Sequence, residues 1–181
     1  LDLDGQLRAL GGSDGIEDVS LIVRHGPAVA EVGRLARQLG VQAVYANHDD
    51  EPAALARDAS VRGKLADLGV ILHTMKDHVV FERSEVLTAT GTPYGVFTPY
   101  KNAWLRKVDP FFLRAWPVAR HASSLAPWPA GIGEPGVPAL VDIDFGLSDL
   151  HHLKLPTGST GAHELLADFL DRIDAYDRTR D

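Results

Sequence analysis

Residues 47–52, NHDDEP, bring three carboxylates together in one short polar loop. They belong to Asp49, Asp50 and Glu51. The apolar run 41–46, VQAVYA, precedes the loop, and a proline suited to the first turn of a helix ends it. Carboxylates stabilise the positive end of a helix, so capping accounts for one or two of the three. The remaining acceptors are free for the donors of a bound ligand, which makes this loop the first candidate site.

Two other motifs match known chemistry only in part. GIGEPG, residues 131–136, has the spacing of a dinucleotide-binding loop, but that loop needs a strand before it and a helix after it. The prolines in and after it oppose a helix start, so we interpret it as a surface loop. HELLA, residues 163–167, begins like a zinc-protease helix, but Ala167 stands where the second histidine would be. We therefore predict neither catalytic nor metal-ligating residues in this chain.

The carboxylate loop lies where short apolar runs and amphipathic stretches alternate. Each amphipathic stretch ends at a glycine, which is a common stop signal for a helix. Short links between such elements are typical of right-handed βαβ units and a parallel sheet covered by helices. In such a sheet, ligands bind outside the carboxyl ends of the strands, where this loop lies. The predicted strands are 19–23, 41–46 and 70–74, and the predicted helices are 27–39 and 52–68.

Helical patterns also stand at both ends of the chain. Leucine spacing in residues 1–10 predicts the second half of a helix that Gly11 ends. Residues 161–176 predict a final helix whose apolar stripe needs a partner surface. Because both patterns reach the limits of the chain, we expect a fragment of a longer protein. Residues 117–155, rich in Pro, Gly and Ala, predict a long connection over a surface.

Composition narrows the class of protein. The chain has 181 residues, of which 45% are hydrophobic and 24% charged, as in ordinary soluble domains. A net charge of -7 opposes non-specific binding to nucleic acid by this chain. The absence of cysteine excludes disulfides and thiol catalysis. No apolar run approaches the roughly 20 residues of a membrane span, so we expect a cytoplasmic protein without a membrane partner.

Residues 93–105, PYGVFTPYKNAWL, combine four aromatic rings with two prolines and a glycine. This pattern predicts a proline-pinned turn that leads into a short helix. Aromatic side chains bury a large area and have few rotamers. We therefore assign this segment to packing rather than to chemistry.

Two stretches resemble the N-terminal domain of the DNA photolyase and cryptochrome family. Residues 45–65, YANHDDEPAALARDASVRGKL, match the family's Tyr-x-Asn-x-x-x-Glu-Pro segment with its downstream Arg-Asp. Residues 81–104, FERSEVLTATGTPYGVFTPYKNAW, match an extended Phe-Glu, a Gly-x-Pro-Tyr, and Val-Phe-Thr-Pro-Tyr leading to Trp. Weaker resemblance covers nearly the whole chain, and on these motifs the chain is identified as a member of the family.

The resemblance implies an α/β fold, with a Rossmann-like parallel sheet and flanking helices. It also implies that the family's first strand is missing, and that an interdomain loop and the first helix of an all-α domain follow. On this basis, residues 1–116 are an N-terminally truncated antenna-binding α/β domain. Residues 117–158 are the interdomain loop, and residues 159–181 are the truncated start of the flavin-binding helical domain.

The implied function is that of a deoxyribodipyrimidine photolyase, a carbon–carbon lyase that repairs pyrimidine dimers in DNA with light. FAD and damaged DNA would bind to the missing helical domain, so this fragment alone is not expected to be catalytic. The full-length protein is expected to be a monomer. Two alternatives stay open: a cryptochrome blue-light receptor, and a stand-alone α/β binding domain of the nucleotide type.

The resemblance also places a cofactor site. In family members with a deazaflavin-type antenna pigment, acidic residues of the Asp-x-Glu-Pro segment contact the pigment, and Asp49 and Glu51 match them. Members that use a folate have an Asn-Glu pair where Ala53 and Ala54 stand here. A deazaflavin or flavin antenna is therefore favoured over folate. The tryptophans are assigned to packing, not to electron transfer.

Overall fold

The structure, a computed structural model, describes residues 1–138 and 155–179. It has two compact units: Gly26–Pro117 is one, and Leu1–His25 with Val118–Asp181 is the other. The described α-helices and strands are α1 Asp2–Ser13, α2 Ala28–Leu39, β1 Ala43–Asn47, α3 Pro52–Ala66, β2 Ile71–Met75, α4 Phe97–Lys107, α5 Pro110–Leu113, α6 Gly158–Arg172 and α7 Tyr176–Thr179. Short 3-10 helices cover Val118–Ser124 and Ile173–Ala175.

The unit Gly26–Pro117 is built on one βαβ motif. Strands β1 and β2 pair in parallel, with Ala43 opposite Ile71 and Asn47 opposite Met75, and α3 connects them. A crossover helix is the usual link between parallel neighbours, because the chain must return to the starting end of the sheet before the second strand begins. The predicted α/β class is confirmed: the described residues form a small two-stranded parallel sheet with flanking helices.

The apolar periodicity of α2 and α3 forms the core of this unit. Leu65 on α3 is fully buried and packs with Ala36 of α2 and Leu72 of β2. Helix α2 ends at Gly40, which has a left-handed φ of 61° that glycine adopts without strain. The predicted helices 27–39 and 52–68 are confirmed to within two residues, because their start and stop signals are local.

The strand predicted over residues 19–23 is wrong. This segment lies in the other unit and has no strand neighbour among the described residues. Its polar groups bind a side chain instead: the Ser20 hydroxyl and the Leu21 amide both donate to the Asp4 carboxylate, at 2.6 and 2.8 Å. Val19 is buried at 5% exposure. The apolar run therefore indicated burial correctly, but it did not indicate a strand, because a strand also needs a neighbouring strand to pair with.

Helix α1 continues through the glycines that were expected to end it, and stops at Ser13. Gly11 lies inside the helix, and it must be a glycine there because a β-carbon would come within 2.4 Å of the Val19 Cγ2. The Asp4 carboxylate on α1 also binds Arg8 at 2.9 Å. The hydrogen bonds from Ser20, Leu21 and Arg8 lower the pKa of Asp4 to about 2.

Helix α6 begins next to α1. The Asp2 carboxylate accepts hydrogen bonds from the Thr160 hydroxyl at 2.7 Å and from the Thr160 amide at 3.3 Å. Asp2 therefore caps the start of α6, since Thr157 makes no side-chain cap of its own. The predicted final helix is confirmed, and its apolar stripe is largely exposed. The exposed members are Leu165, Leu166, Phe169, Leu170 and Ile173.

The aromatic segment forms the predicted turn and helix α4. Trp104 meets the ring of Phe81 edge-on, with centroids 5.6 Å apart, and Tyr94 meets Tyr100 at 6.1 Å. The rings thus contribute packing within their own unit, although Phe97 is 72% exposed.

The predicted long connection has one regular element up to residue 138, the 3-10 helix Val118–Ser124. Residues 131–136 carry neither helix nor strand. The rest of the connection, residues 139–154, lies outside the described residues. The domain limits at 116 and 158 remain a prediction. Among the described helices, none combines the length and apolarity that a membrane crossing requires.

Candidate functional site

A cavity of about 250 Å³ lies where both parallel strands end. Three elements build it: the loop after β1, one face of α3, and the end of β2 with the segment that follows. Leu55, Ala59 and Arg62 share a face of α3 because they are spaced four and three residues apart. The lining residues are His48, Asp49, Leu55, Asp58, Ala59, Arg62, Thr74 and Arg83.

Backbone contacts hold the loop after β1 in place. The His48 amide donates to the Met75 carbonyl at 2.8 Å, which extends the strand pairing one step beyond β1. The Asp49 carboxylate accepts the Glu51 amide at 3.1 Å, which turns the chain into α3. These two bonds aim the side chains of residues 48 and 49 at the cavity.

His48 is the centre of a partly buried hydrogen-bond network. Its Nδ1 lies 2.9 and 3.0 Å from the two carboxylate oxygens of Glu82, and its Nε2 lies 3.1 Å from the Thr74 hydroxyl. That hydroxyl accepts a bond from Arg62 at 3.4 Å, so its own proton is free to point at His48. In the neutral ring, Nε2 then accepts and Nδ1 donates to Glu82. The network ties both strand ends to α3.

Ion pairs surround the mouth of the cavity. Arg83 donates to the Asp50 carboxylate at 2.8 Å, and this bond raises the pKa of Arg83. Arg83 also has a positive φ of 38°, a conformation that non-glycine residues seldom adopt. Arg57 donates to Asp58 at 2.8 Å, which raises the pKa of Arg57. Both pairs are largely exposed, so they orient side chains more than they stabilise the fold.

The structure separates the two predicted site residues. Asp49 is partly buried and lines the cavity, whereas Glu51 is exposed and lies outside the lining. The pigment-binding role of Asp49 and Glu51 stays a prediction. The carboxylate of Asp50 accepts a hydrogen bond from Arg83, which lies 33 residues further along the sequence.

Sequence reasoning missed most of the lining. The strand-end rule, applied to β2 as well as to β1, would have indicated Thr74. Helical spacing on α3 would have indicated Arg62. Glu82 belongs to the Phe-Glu of the family motif, but neither Glu82 nor Arg83 lies in a helix or strand whose period would have placed it at the site.

The cavity suits the edge of a polar ring. Its walls provide carboxylate acceptors on Asp49 and Asp58, a guanidinium donor on Arg62, and one large apolar side chain, Leu55. The volume is slightly below the roughly 300–1,000 Å³ typical of small-molecule sites, so the cavity is large enough for part of a small molecule.

A parallel βαβ unit with a cavity at its strand ends is the arrangement in which open α/β sheets place their ligands. The family model described as DNA photolyase matches residues 1–121. The chain therefore belongs to the DNA photolyase family, as the motifs in residues 45–104 indicated.

Named relatives agree with this family. The deoxyribodipyrimidine photo-lyase of Halobacterium salinarum is 38% identical over 84 residues, which are 46% of this chain and 18% of that protein. The deoxyribodipyrimidine photo-lyase of Agrobacterium fabrum is 28% identical over 162 residues, which are 89% of this chain and 33% of that protein. This chain thus spans between about a fifth and a third of the length of these relatives.

A solved structure shares the fold. The crystal structure of a bacterial class III photolyase from Agrobacterium tumefaciens matches with a TM-score of 0.63 and 24% sequence identity. The match covers 93% of this chain and 36% of that one. At this level of identity the match supports the fold alone.

Proposed function

We propose that this chain is the antenna-holding part of a deoxyribodipyrimidine photolyase, which repairs pyrimidine dimers in DNA with light. The observation that carries the proposal is a cavity at the strand ends, lined by Asp49 and the His48 network, in a chain of this family. When bound, the antenna pigment would absorb light and pass the excitation to a flavin. FAD and damaged DNA would bind to a part of the protein outside this chain.

The side chains assign separate tasks within the cavity. Asp49 would accept hydrogen bonds from the ring edge of the pigment, while Arg62 would donate to its carbonyl oxygens. His48 would hold the strand ends and α3 together through Glu82 and Thr74. Arg83, held by Asp50, would shield the mouth from water.

The pigment that we propose is a deazaflavin or a flavin rather than a folate. Ala54 has 5% exposure and contributes to the core, so it offers a ligand neither charge nor hydrogen bond. Ala53 is exposed but equally without polar atoms. These two alanines stand where folate-binding relatives would need an Asn-Glu pair.

Pigment binding by the 181-residue chain tests this proposal. We expect saturable binding of a deazaflavin or of FMN, and weaker or no binding of a reduced folate. Asp49→Asn keeps the oxygen that accepts the Glu51 amide but removes the charge, and should weaken binding about tenfold. Asp171→Asn, on the exposed surface of α6, is the matched control. Equal affinity of both variants for the pigment would contradict the proposed site.

Repair activity tests the larger claim. The longest gene product that contains this chain should remove pyrimidine dimers from irradiated DNA in light and not in darkness. Flavin binding without repair would favour the blue-light receptor instead. A product that binds no flavin would favour a stand-alone binding domain. We further propose that the full-length protein is a cytoplasmic monomer.

A further inference from the structure

A second cavity in the unit Gly26–Pro117 shares no lining residue with the first. Its volume is about 430 Å³, within the range of small-molecule sites. One wall is the segment that follows β2, and the other comes from α5 and the residues after it. The lining residues are Lys76, Asp77, His78, Val79, Val80, Phe111, Phe112, Arg114 and Trp116.

Aromatic rings form the second wall. The rings of Phe111 and Trp116 are perpendicular, with centroids 6.1 Å apart, and both side chains are more than half exposed. The ring of Phe112 contacts Phe111 edge-on at 5.4 Å and is itself held by an edge-on contact with Phe81 at 4.8 Å. The exposed rings of Phe111 and Trp116 offer a stacking surface for a flat ligand, since every nucleobase has a π face.

Arg114 supplies the charge of this wall. Its guanidinium lies 4.0 Å from the ring centroid of Trp116 and 4.7 Å from that of Phe111. Among the described residues it has no carboxylate partner within ion-pair distance. Contact with both rings holds the guanidinium in place while its N–H groups remain available, and a guanidinium so placed can bind phosphate with two hydrogen bonds.

The surrounding charges favour an anion. Lys76 pairs with Glu85 at 2.7 Å, and Lys107 lies over the ring of Phe81 while donating to the Glu85 carbonyl. The Asp77 carboxylate accepts the side-chain amide of Asn47 at 2.8 Å. The charged residues that line the cavity are the cationic Lys76 and Arg114 and the anionic Asp77. Because Glu85 pairs with Lys76, Arg114 is the lining cation that is left for an anionic ligand.

We propose that this second cavity binds a mononucleotide, with its base against the aromatic wall and its phosphate on Arg114. The opposite wall would receive the sugar along Val79 and Val80, and Asp77 would accept a hydrogen bond from a hydroxyl or amino group. The site does not depend on the antenna cavity or on repair activity.

Nuclear magnetic resonance of the 181-residue chain tests the site directly. The chain has three tryptophans, and therefore three indole N–H signals, and Trp116→Phe assigns one of them. AMP should shift the Trp116 signal saturably and leave that of Trp128 unchanged. Adenosine should bind about tenfold more weakly, because it lacks the phosphate that pairs with Arg114.

Matched variants separate the phosphate contact from general charge. Arg114→Gln should abolish the preference for AMP over adenosine while leaving adenosine affinity unchanged. Arg106→Gln, on the exposed face of α4, should preserve the preference. Equal affinity for AMP and adenosine in the wild-type chain, an equal loss in both variants, or an unshifted Trp116 signal would each overturn the proposal. If Arg114→Gln does not fold, the comparison of AMP with adenosine in the wild-type chain still tests the phosphate contact. Competition of AMP binding by inorganic phosphate tests it as well.

The two proposed sites can fail independently. Asp49→Asn should leave AMP binding intact, and Arg114→Gln should leave pigment binding intact. Loss of AMP binding in Asp49→Asn would mean that both ligands use the first cavity, which would overturn the second site alone.

Discussion

At the scale of single residues, His48 shows how one side chain connects distant parts of the chain. Its partners, Thr74 and Glu82, lie 26 and 34 residues away in sequence. The Thr74 hydroxyl serves both His48 and Arg62, so it satisfies two polar groups with one atom. Such shared atoms make a polar network sensitive to the loss of any member.

Thr74→Val should therefore destabilise the chain. Valine keeps the shape but leaves the His48 Nε2 and one Arg62 N–H without this partner, and the loss of these partly exposed hydrogen bonds costs about 0.5–1.5 kcal/mol of unfolding free energy. Thr98→Val, at an exposed position of α4, should cost under about 0.5 kcal/mol. Denaturant unfolding of both variants measures the difference. Equal midpoints would show that water replaces the Thr74 hydroxyl without loss.

At the scale of elements, the βαβ unit positions the first cavity. Helix α3 buries one face against β2 through Leu65 and presents the neighbouring face, with Arg62, to the cavity. The packing of this helix therefore sets the position of the lining. A substitution that weakens the packing of α3 should lower the stability of the unit and weaken ligand binding at the first cavity.

Leu65→Ala tests that dependence. Leu65 has no exposed surface, and truncating a buried leucine costs about 2–5 kcal/mol. The variant should lower the thermal midpoint and weaken pigment binding together. Leu113→Ala, at a position that is 67% exposed, should change neither quantity measurably. A stable Leu65→Ala variant would mean that the core collapses around the cavity left by the leucine.

At the scale of the whole molecule, acidic side chains set the response to pH. The chain has 25 acidic and 18 basic residues, and two of its carboxylates, Asp2 and Asp4, are held by hydrogen bonds within α1 and its neighbours. Those bonds lower the pKa of both groups below the usual 3.8. A group with a lowered folded pKa stabilises the fold above its unfolded pKa and loses that contribution as pH falls.

The acid response should therefore depend on Asp4. The folded pKa of about 2 lies below the unfolded value of 3.8, so the contribution is complete above about pH 4 and fades between pH 4 and pH 2. Asp4→Asn should be less stable than the wild-type chain at pH 7, and the gap should narrow by pH 2. Urea unfolding at a series of pH values measures this gap. A gap that stays constant with pH would show that the Asp4 carboxylate makes no difference to acid stability.

Local patterns in the sequence determined α2, α3 and the two paired strands. Apolar periodicity, a proline at a helix start and a glycine at a helix end act within a few residues, so they can be read without the fold. The sequence also placed Asp49 at a strand end, because parallel strands share one site-bearing edge.

Only the tertiary structure decided which segments and side chains meet. Residues 19–23 were apolar enough for a strand, yet Asp4 rather than a neighbouring strand took their hydrogen bonds. Gly11 lies inside α1 instead of ending it, and a glycine is required there because Val19 occupies the space where a side chain would be. Glu82 and Arg83 joined the site through contacts across more than 30 residues. Such pairings depend on chain packing, which no local pattern encodes.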